Sequence, residues 1–293
     1  MINLVSLKQD LDSNRELTDI IEVFKIAAMI RFHAFQSKKK PGEECLKEVL
    51  RCFSMMTPIK DAHPYLMERP SLPSILMVVT SNEGFLGELN TLLIESALKE
   101  YQSEKDQLVV LGERGAWRIE EKGKKFVYFS ISSDDVKPQE VEGIRRYLLK
   151  HYQKGYGRVV VIYPRFISVV TQRVQTIRLL PYLLEARSSG APSIEQEILL
   201  EPTTTSVIEG IVELWMGSKL LEVLWSSRQS ELAARIVHLE GSTRELSSLN
   251  QKLTTDYFKQ LHAVKDRTIR EIASTQMILA KNQVADLEEE YSR

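Results

Sequence analysis

The sequence predicts an α/β fold: a long antiparallel coiled coil of N- and C-terminal helices joined to a mostly parallel α/β domain. Three observations carry that reading. All ten prolines fall between Pro41 and Pro202, and the first 40 residues hold neither proline nor glycine. Apolar residues recur at helical spacing near both ends of the chain. Between those ends, short runs of β-branched and apolar residues alternate with helical stretches. Helix breakers are thereby confined to the middle, and both ends are free to run as long helices.

At the N-terminal end, Leu7, Leu11, Ile21, Ala28, Phe32 and Phe35 fall on one series of four- and three-residue steps, with Asn14, Thr18 and Lys25 at its other positions. Leu17, Ile20, Phe24 and Ala27 are expected to widen the apolar stripe. The run 75–80 is continuously apolar, as a parallel strand buried on both faces should be. A glycine-punctuated loop over 81–87 leads into a helix over 88–102. Further strands are expected at 108–111, 126–129 and 158–163, with a helix over 139–153 before the last. Strands alternating with helices imply crossover connections and a mostly parallel sheet. Residues 166–180, rich in β-branched side chains, are a candidate for one more strand.

The C-terminal end carries the stronger pattern. Leu232, Ile236, Leu239, Thr243, Leu246, Asn250 and Leu253 form a heptad seam with two polar interruptions. From Tyr257 the spacing changes: Leu261, Val264, Thr268, Ile272, Thr275 and Leu279 make two eleven-residue repeats, which let a coil run straighter. A helix over 228–285 would be roughly 87 Å long at 1.5 Å per residue, more than a compact domain spans. Its apolar stripe needs a partner, and the N-terminal helix offers one. The division expected is therefore 1–40 for an N-terminal helix, 41–202 for an α/β domain and 203–293 for a C-terminal helix with a short acidic tail.

Composition narrows the function. Thirty-nine Lys and Arg against 40 Asp and Glu leave a net charge of −1, so no global positive field points to nucleic acid. Cys45 and Cys52 read as two packing thiols of a reduced protein. The opening residues turn polar at once, and no uncharged run approaches the roughly 20 residues of a membrane span. Five scattered histidines show no metal spacing, no G-x-S-x-G occurs, and the 81–87 loop lacks the lysine of a phosphate loop and the G-x-G of a dinucleotide loop. Gly84, Gly87 and Asn90 read as parts of a structural turn. Residues 38–40 read as the exposed basic end of the first helix, and 288–290 as solvated acid. No catalytic, cofactor or metal site is expected.

Local sequences then make a family specific. Val79-Thr-Ser-Asn-Glu-Gly-Phe-Leu-Gly-Glu-Leu-Asn-Thr91 resembles the first strand-turn of the gamma subunit of F-type rotary ATP synthases. Val109-Val-Leu-Gly-Glu-Arg-Gly115 is similar to that family's second strand-turn. Tyr163-Pro-Arg-Phe-Ile-Ser-Val-Val-Thr-Gln172, Leu179-Leu-Pro181, Glu201-Pro202, Ser230-Glu-Leu-Ala-Ala-Arg-Ile-Val237 and Glu271-Ile272 follow in the family's order, and Phe24-Lys-Ile-Ala-Ala-Met-Ile-Arg31 matches near the start. The sequence also departs from the pattern. Asn82-Glu83 stands for the family's Asp-Arg, Leu86 for its cysteine, Leu261-His262 for Arg-Gln and Lys265-Asp266 for Ile-Thr.

The resemblance implies a non-catalytic axle of a rotary ATP synthase or ATPase, without cofactors, on the cytoplasmic face of an energy-coupling membrane. It implies as partners the alpha and beta subunits of a catalytic head, an epsilon-type stalk subunit and a membrane c-ring. The residues it points to for contact with the head are Phe24, Lys25, Arg31, Leu261, His262, Lys265, Arg267, Arg270 and Glu271. The departures imply a divergent ring to match, such as that of a specialised rotary ATPase that does not make ATP. An unrelated coiled-coil scaffold and a nucleotide-binding α/β enzyme with helical arms are the other classes compatible with the pattern.

Overall fold

The computed structural model describes residues 4–38, 43–56, 63–132, 135–183, 201 and 203–291. The expectations for Lys39, Lys40, Pro41, Pro202 and the acidic side chains at 288–290 fall outside those described. The chain divides into two compact units, Lys25–His238 on one hand and Met1–Phe24 with Leu239–Arg293 on the other.

In the larger unit, β1 (Ser74–Val79), β2 (Gln107–Leu111), β3 (Phe126–Phe129), β4 (Arg158–Phe166) and β5 (Gln172–Leu180) form one sheet in the order β3-β2-β1-β4-β5. The first four strands are parallel, and β5 returns antiparallel to β4. Every residue of β1 is buried, because both faces of the sheet are covered and successive side chains point to opposite faces. Ile75, Met77 and Val79 pack with Ile144, Leu148 and Tyr152 of α5 (Pro138–Gln153) and with Val212, Met216 and Leu220 of α6 (Thr204–Tyr291). Leu76 and Val78 pack on the other side with Leu93, Ile94 and Ala97 of α3 (Leu89–Glu100) and Ile119 of α4 (Glu113–Glu121).

Two local devices hold the strand ends. The Asp106 carboxylate accepts hydrogen bonds from the backbone N–H of Ser74 at 2.7 Å, Gln102 at 3.0 Å and Ser103 at 2.9 Å, which ties the start of β1 to the turn before β2. At the opposite end Gly112 crosses so close to Thr80 that an added Cβ would lie 2.3 Å from the Thr80 carbonyl oxygen. Its φ of +94° is also one that only glycine adopts readily.

The helix α2 (Glu43–Met56) was not legible beforehand. It buries Val49 and Phe53 and half-buries Leu46, so Cys45 and Cys52 fall on its outer side and are exposed. The expectation of packing thiols is thereby corrected. Cys45 Sγ instead accepts a hydrogen bond from Ser218 Oγ at 3.4 Å.

The first helix, α1 (Leu4–Gln36), pairs with α6 antiparallel. Within the larger unit Phe35 of α1 packs on Trp225 of α6 with ring centroids 4.2 Å apart, in a small apolar cluster with Phe32, Leu232 and Ala233. Within the smaller unit Leu7, Leu11 and Leu239 are buried, and Asn250 Nδ2 donates to Thr18 Oγ1 at 3.2 Å. The expected seam forms, but its expected widening does not. Leu17, Ile20 and Phe24 are 47%, 52% and 46% exposed, and Ala27 is exposed as well. One partner helix covers only the narrow stripe of a two-stranded seam.

Beside α6, the buried His63 accepts a hydrogen bond at Nδ1 from the Tyr65 backbone N–H (3.2 Å), and its Nε2 lies 3.9 Å from Glu209. Burial holds its pKa below the ordinary 6.5, with the Glu209 charge opposing. The unfolded chain therefore takes up this proton first as pH falls, so the stability due to neutral His63 is full above pH 6.5 and is lost from there downward. Urea melts at about pH 7.5 and about pH 5.5 are expected to show a smaller loss of stability for His63→Gln than for the native chain. Equal losses would refute the assignment.

Candidate partner-contact site

The turn after β1 is built from its own polar side chains. Asn90, in the first turn of α3, accepts from the Ser81 backbone N–H at 3.2 Å and donates through Nδ2 to Ser81 Oγ at 2.8 Å. Asn82 Nδ2 donates to the Ile131 carbonyl at 2.7 Å, and its Oδ1 accepts from the Glu113 N–H at 3.2 Å. Gly87 takes φ +57°, and at Gly84 a Cβ would press on Arg114 Nη2 at 3.2 Å. Phe85 holds the left-handed region at φ +62°, uncommon for a bulky residue, with its ring half exposed.

Glu83 leaves this turn between the two long helices. Its Oε2 lies 2.9 Å from Arg235 Nη1 of α6, and its Oε1 lies 3.4 Å from Arg31 Nη1 of α1. Arg235 also bonds Glu231 Oε1 at 3.0 Å and donates from Nε to the Gly84 carbonyl at 3.3 Å. Glu231 Oε2 in turn meets Arg228 Nη1 at 2.8 Å. Glu231…Arg235 is an i,i+4 pair and Arg228…Glu231 an i,i+3 pair, both readable from spacing alone. Their joining through Glu83 depended on the fold.

A cavity of about 30 Å3 lies where the carboxyl ends of β1 and β4 part, between Thr80, Asn82, Ser132, Glu140, Pro164, Ser227 and Arg228. This is the point at which open parallel sheets place their ligands. Here Leu224, Ser227, Arg228 and Glu231 of α6 line one side of it. The space accommodates about two waters. On its edge, Asp135 is hydrogen-bonded by Lys38 Nζ at 2.8 Å, which holds that carboxyl below the usual range.

The sequence-derived contact residues do not gather in one place. Lys25 and Arg31 belong to the larger unit, while Phe24 and the residues from Leu261 to Glu271 belong to the smaller. Phe24 is exposed and Lys25 half-buried on the seam. Arg31 is turned to Glu83. Leu261 is half-buried, and every described side chain from His262 through Ala280 is exposed. There Arg267 Nε holds Glu271 Oε1 at 2.9 Å and Arg270 Nε donates to the Asp266 carbonyl at 3.2 Å, while His262 and Lys265 also face solvent.

Comparison with known proteins follows the same outline. The ATP synthase gamma chain of Sorangium cellulosum is 27% identical over 73% of this chain and 71% of its own length. That of Halothermothrix orenii is 24% identical over 93% of this chain and 97% of its own. A family model described as ATP synthase matches residues 3–277. The chain belongs to the ATP synthase gamma family. As a gamma-family chain it is a central-stalk subunit, and the fold agrees with solved ones. A chain in the Euglena gracilis mitochondrial ATP synthase OSCP/F1/c-ring structure aligns with TM-score 0.67 at 18% identity, over 96% of this chain and 95% of that one. A chain of the Tetrahymena thermophila central stalk and c-ring aligns with TM-score 0.58 at 18% identity, over 76% and 99%. No helix among the described residues of this gamma-family chain is long and apolar enough to cross a membrane.

Proposed function

We propose that this chain is the rotor axle that couples ATP synthesis or hydrolysis in a catalytic head to ion translocation through a membrane rotor, and that it is itself non-catalytic. One observation carries most weight. The apolar series of α6 continues past Leu261, yet Val264, Ile269, Ile272, Met277, Ile278 and Leu279 are all exposed. Such a series calls for a covering partner. A ring of head subunits fits, because it can touch a helix on all sides.

The work asked of such an axle is differential binding. Each orientation presents another profile to the ring, which favours one conformation of one catalytic subunit over its neighbours. Lys25, Arg31, Arg267 and Arg270 would face acidic loops of alpha and beta subunits, with Phe24, Leu261, His262, Lys265 and Glu271 in the same contact stretches. Segment 41–202 would carry the epsilon-type subunit and the c-ring, with 1–40 and 203–293 as the shaft. Binding to those partners would hold the chain peripherally at the cytoplasmic face of the membrane. The cavity at the sheet's switch point is too small for a nucleotide, which agrees with the axle reading at the one place where such a sheet would bind one.

Reconstitution with its companion alpha and beta subunits tests the proposal. The head is expected to show unidirectional ATP-driven rotation only when this chain is present, and the isolated chain is expected to bind no ATP in calorimetry. Saturable micromolar ATP binding by the chain alone would overturn the non-catalytic reading.

A further inference from the structure

We infer that Glu83 is a positioning residue that keys the turn after β1 to both long helices, so that torque crosses the larger unit through a ladder of directional ion pairs. The inference rests on the rotor-axle reading. The ladder runs Arg31, Glu83, Arg235, Glu231, Arg228, alternating in sign at every step, with closest contacts of 3.4, 2.9, 3.0 and 2.8 Å. It joins three separate pieces of chain: α1, the turn and α6. The side chains of Arg228, Glu231 and Arg235 are only 8%, 11% and 7% exposed, so three of the five charges sit out of water.

Burial of apolar surface opposes separation but is itself non-directional. A guanidinium–carboxylate pair is different. It fixes distance and angle together, because the donors form a rigid planar fork. Arg235 uses that fork in full: one nitrogen meets the turn's carboxylate, another meets Glu231 one helical turn away, and Nε meets the turn's Gly84 carbonyl. A twist of α6 relative to the sheet has to break the two bonds to the turn, while the Glu231 pair, internal to α6, holds the guanidinium in place for them. Among the five members of the ladder Glu83 is the one that touches both helices, and its carboxylate does so through both oxygens. The negative charge here is therefore answered within the chain by two arginines. An arginine in its place would face Arg31 and Arg235 as a third like charge.

The test uses the assembled complex. Glu83→Gln keeps the shape and removes the charge, and Arg31→Gln breaks the outer step while leaving the buried Arg235–Glu231 pair whole. With the head immobilised, the thermal angular fluctuation of a probe on the larger unit reads torsional stiffness, and membrane vesicles give ions pumped per ATP hydrolysed. Both variants are expected to lose stiffness and pumping ratio, Glu83→Gln more than Arg31→Gln. Arg235→Met is expected to add little once Glu83 is already Gln. Unchanged stiffness and pumping in Arg31→Gln together with an assembled Glu83→Gln would overturn the inference. If Glu83→Gln does not assemble, unchanged values in Arg31→Gln alone overturn it. Absence of rotation in the native complex would instead defeat the axle reading itself.

Discussion

Replacing Phe53 with alanine is expected to lower the thermal midpoint of the larger unit by on the order of 10 °C. Phe53 is fully buried on α2, stacked on Tyr182 with centroids 4.0 Å apart and edge-on to Trp215 at 6.4 Å. Tyr182 and Trp215 meet each other at 4.9 Å, so three rings from α2, the segment after β5 and α6 close one aromatic corner. Truncation of a buried phenylalanine costs about 3–5 kcal/mol, through lost transfer energy and the cavity left behind. At about 2–4 °C per kcal/mol for a unit of this size, that loss gives the stated shift. Phe53→Leu, which keeps most of the volume, should cost about 1.5 kcal/mol or less. Leu50→Ala on the exposed side of the same helix is the control. Calorimetry showing equal shifts for Phe53→Ala and Leu50→Ala would contradict the docking of α2.

The second large effect concerns the partner. In a conventional head this chain is expected to couple ATP turnover to rotation poorly, and Leu261→Arg with His262→Gln is expected to restore much of the coupling. Leu261 is the last half-buried residue described on α6 and His262 opens its exposed stretch, so the change from Arg-Gln falls where the covering of α6 ends. Lys265 and Asp266, one turn on, are exposed as well. Without the guanidinium there is no rigid five-donor fork to hold a ring carboxylate. A hydrogen bond to a charged group contributes about 1.5–3 kcal/mol. At about 1.4 kcal/mol per tenfold, its loss shifts the preferred ring position by about tenfold or more. Full coupling in the conventional head, unimproved by the two substitutions, would show these positions to be neutral.

What could be read in advance follows from periodicity. The heptads of α6 and the unbroken apolar runs of β1, β2 and β4 state their own structure, because one period or one buried face dominates each. Helix α4 escaped notice because it is only nine residues long and carries Gly115, whose presence looks like a turn until the close approach of Thr80 Oγ1 is seen, 2.3 Å from where a Cβ would sit. Helix α2 lies between prolines, and its apolar positions Leu46, Val49 and Phe53 cover only about two turns, too few for a period to stand out. The strand expected within 166–180 begins only at Gln172, since 168–171 make a turn in which the Thr171 N–H bonds Ser168. Charge ladders are the least legible kind of feature. Nothing in the string of letters brings Glu83 beside residue 235, and its reversal of sign read as a message to the ring rather than to its own helices.

The polar rung in the seam bears on folding fidelity. Two helices held by leucines alone could pair in several registers that differ by whole heptads, all with similar energy. Asn250 donates to Thr18, and both are half-buried on the seam. A slip of seven residues on α1 would set Asn250 against Leu11 and leave the half-buried amide without its Thr18 partner. The opposite slip would draw the ammonium of Lys25 into the seam. A single hydrogen bond, weak as a contributor to stability, thus acts as a proofreader. It disfavours the misaligned pairings relative to the observed one.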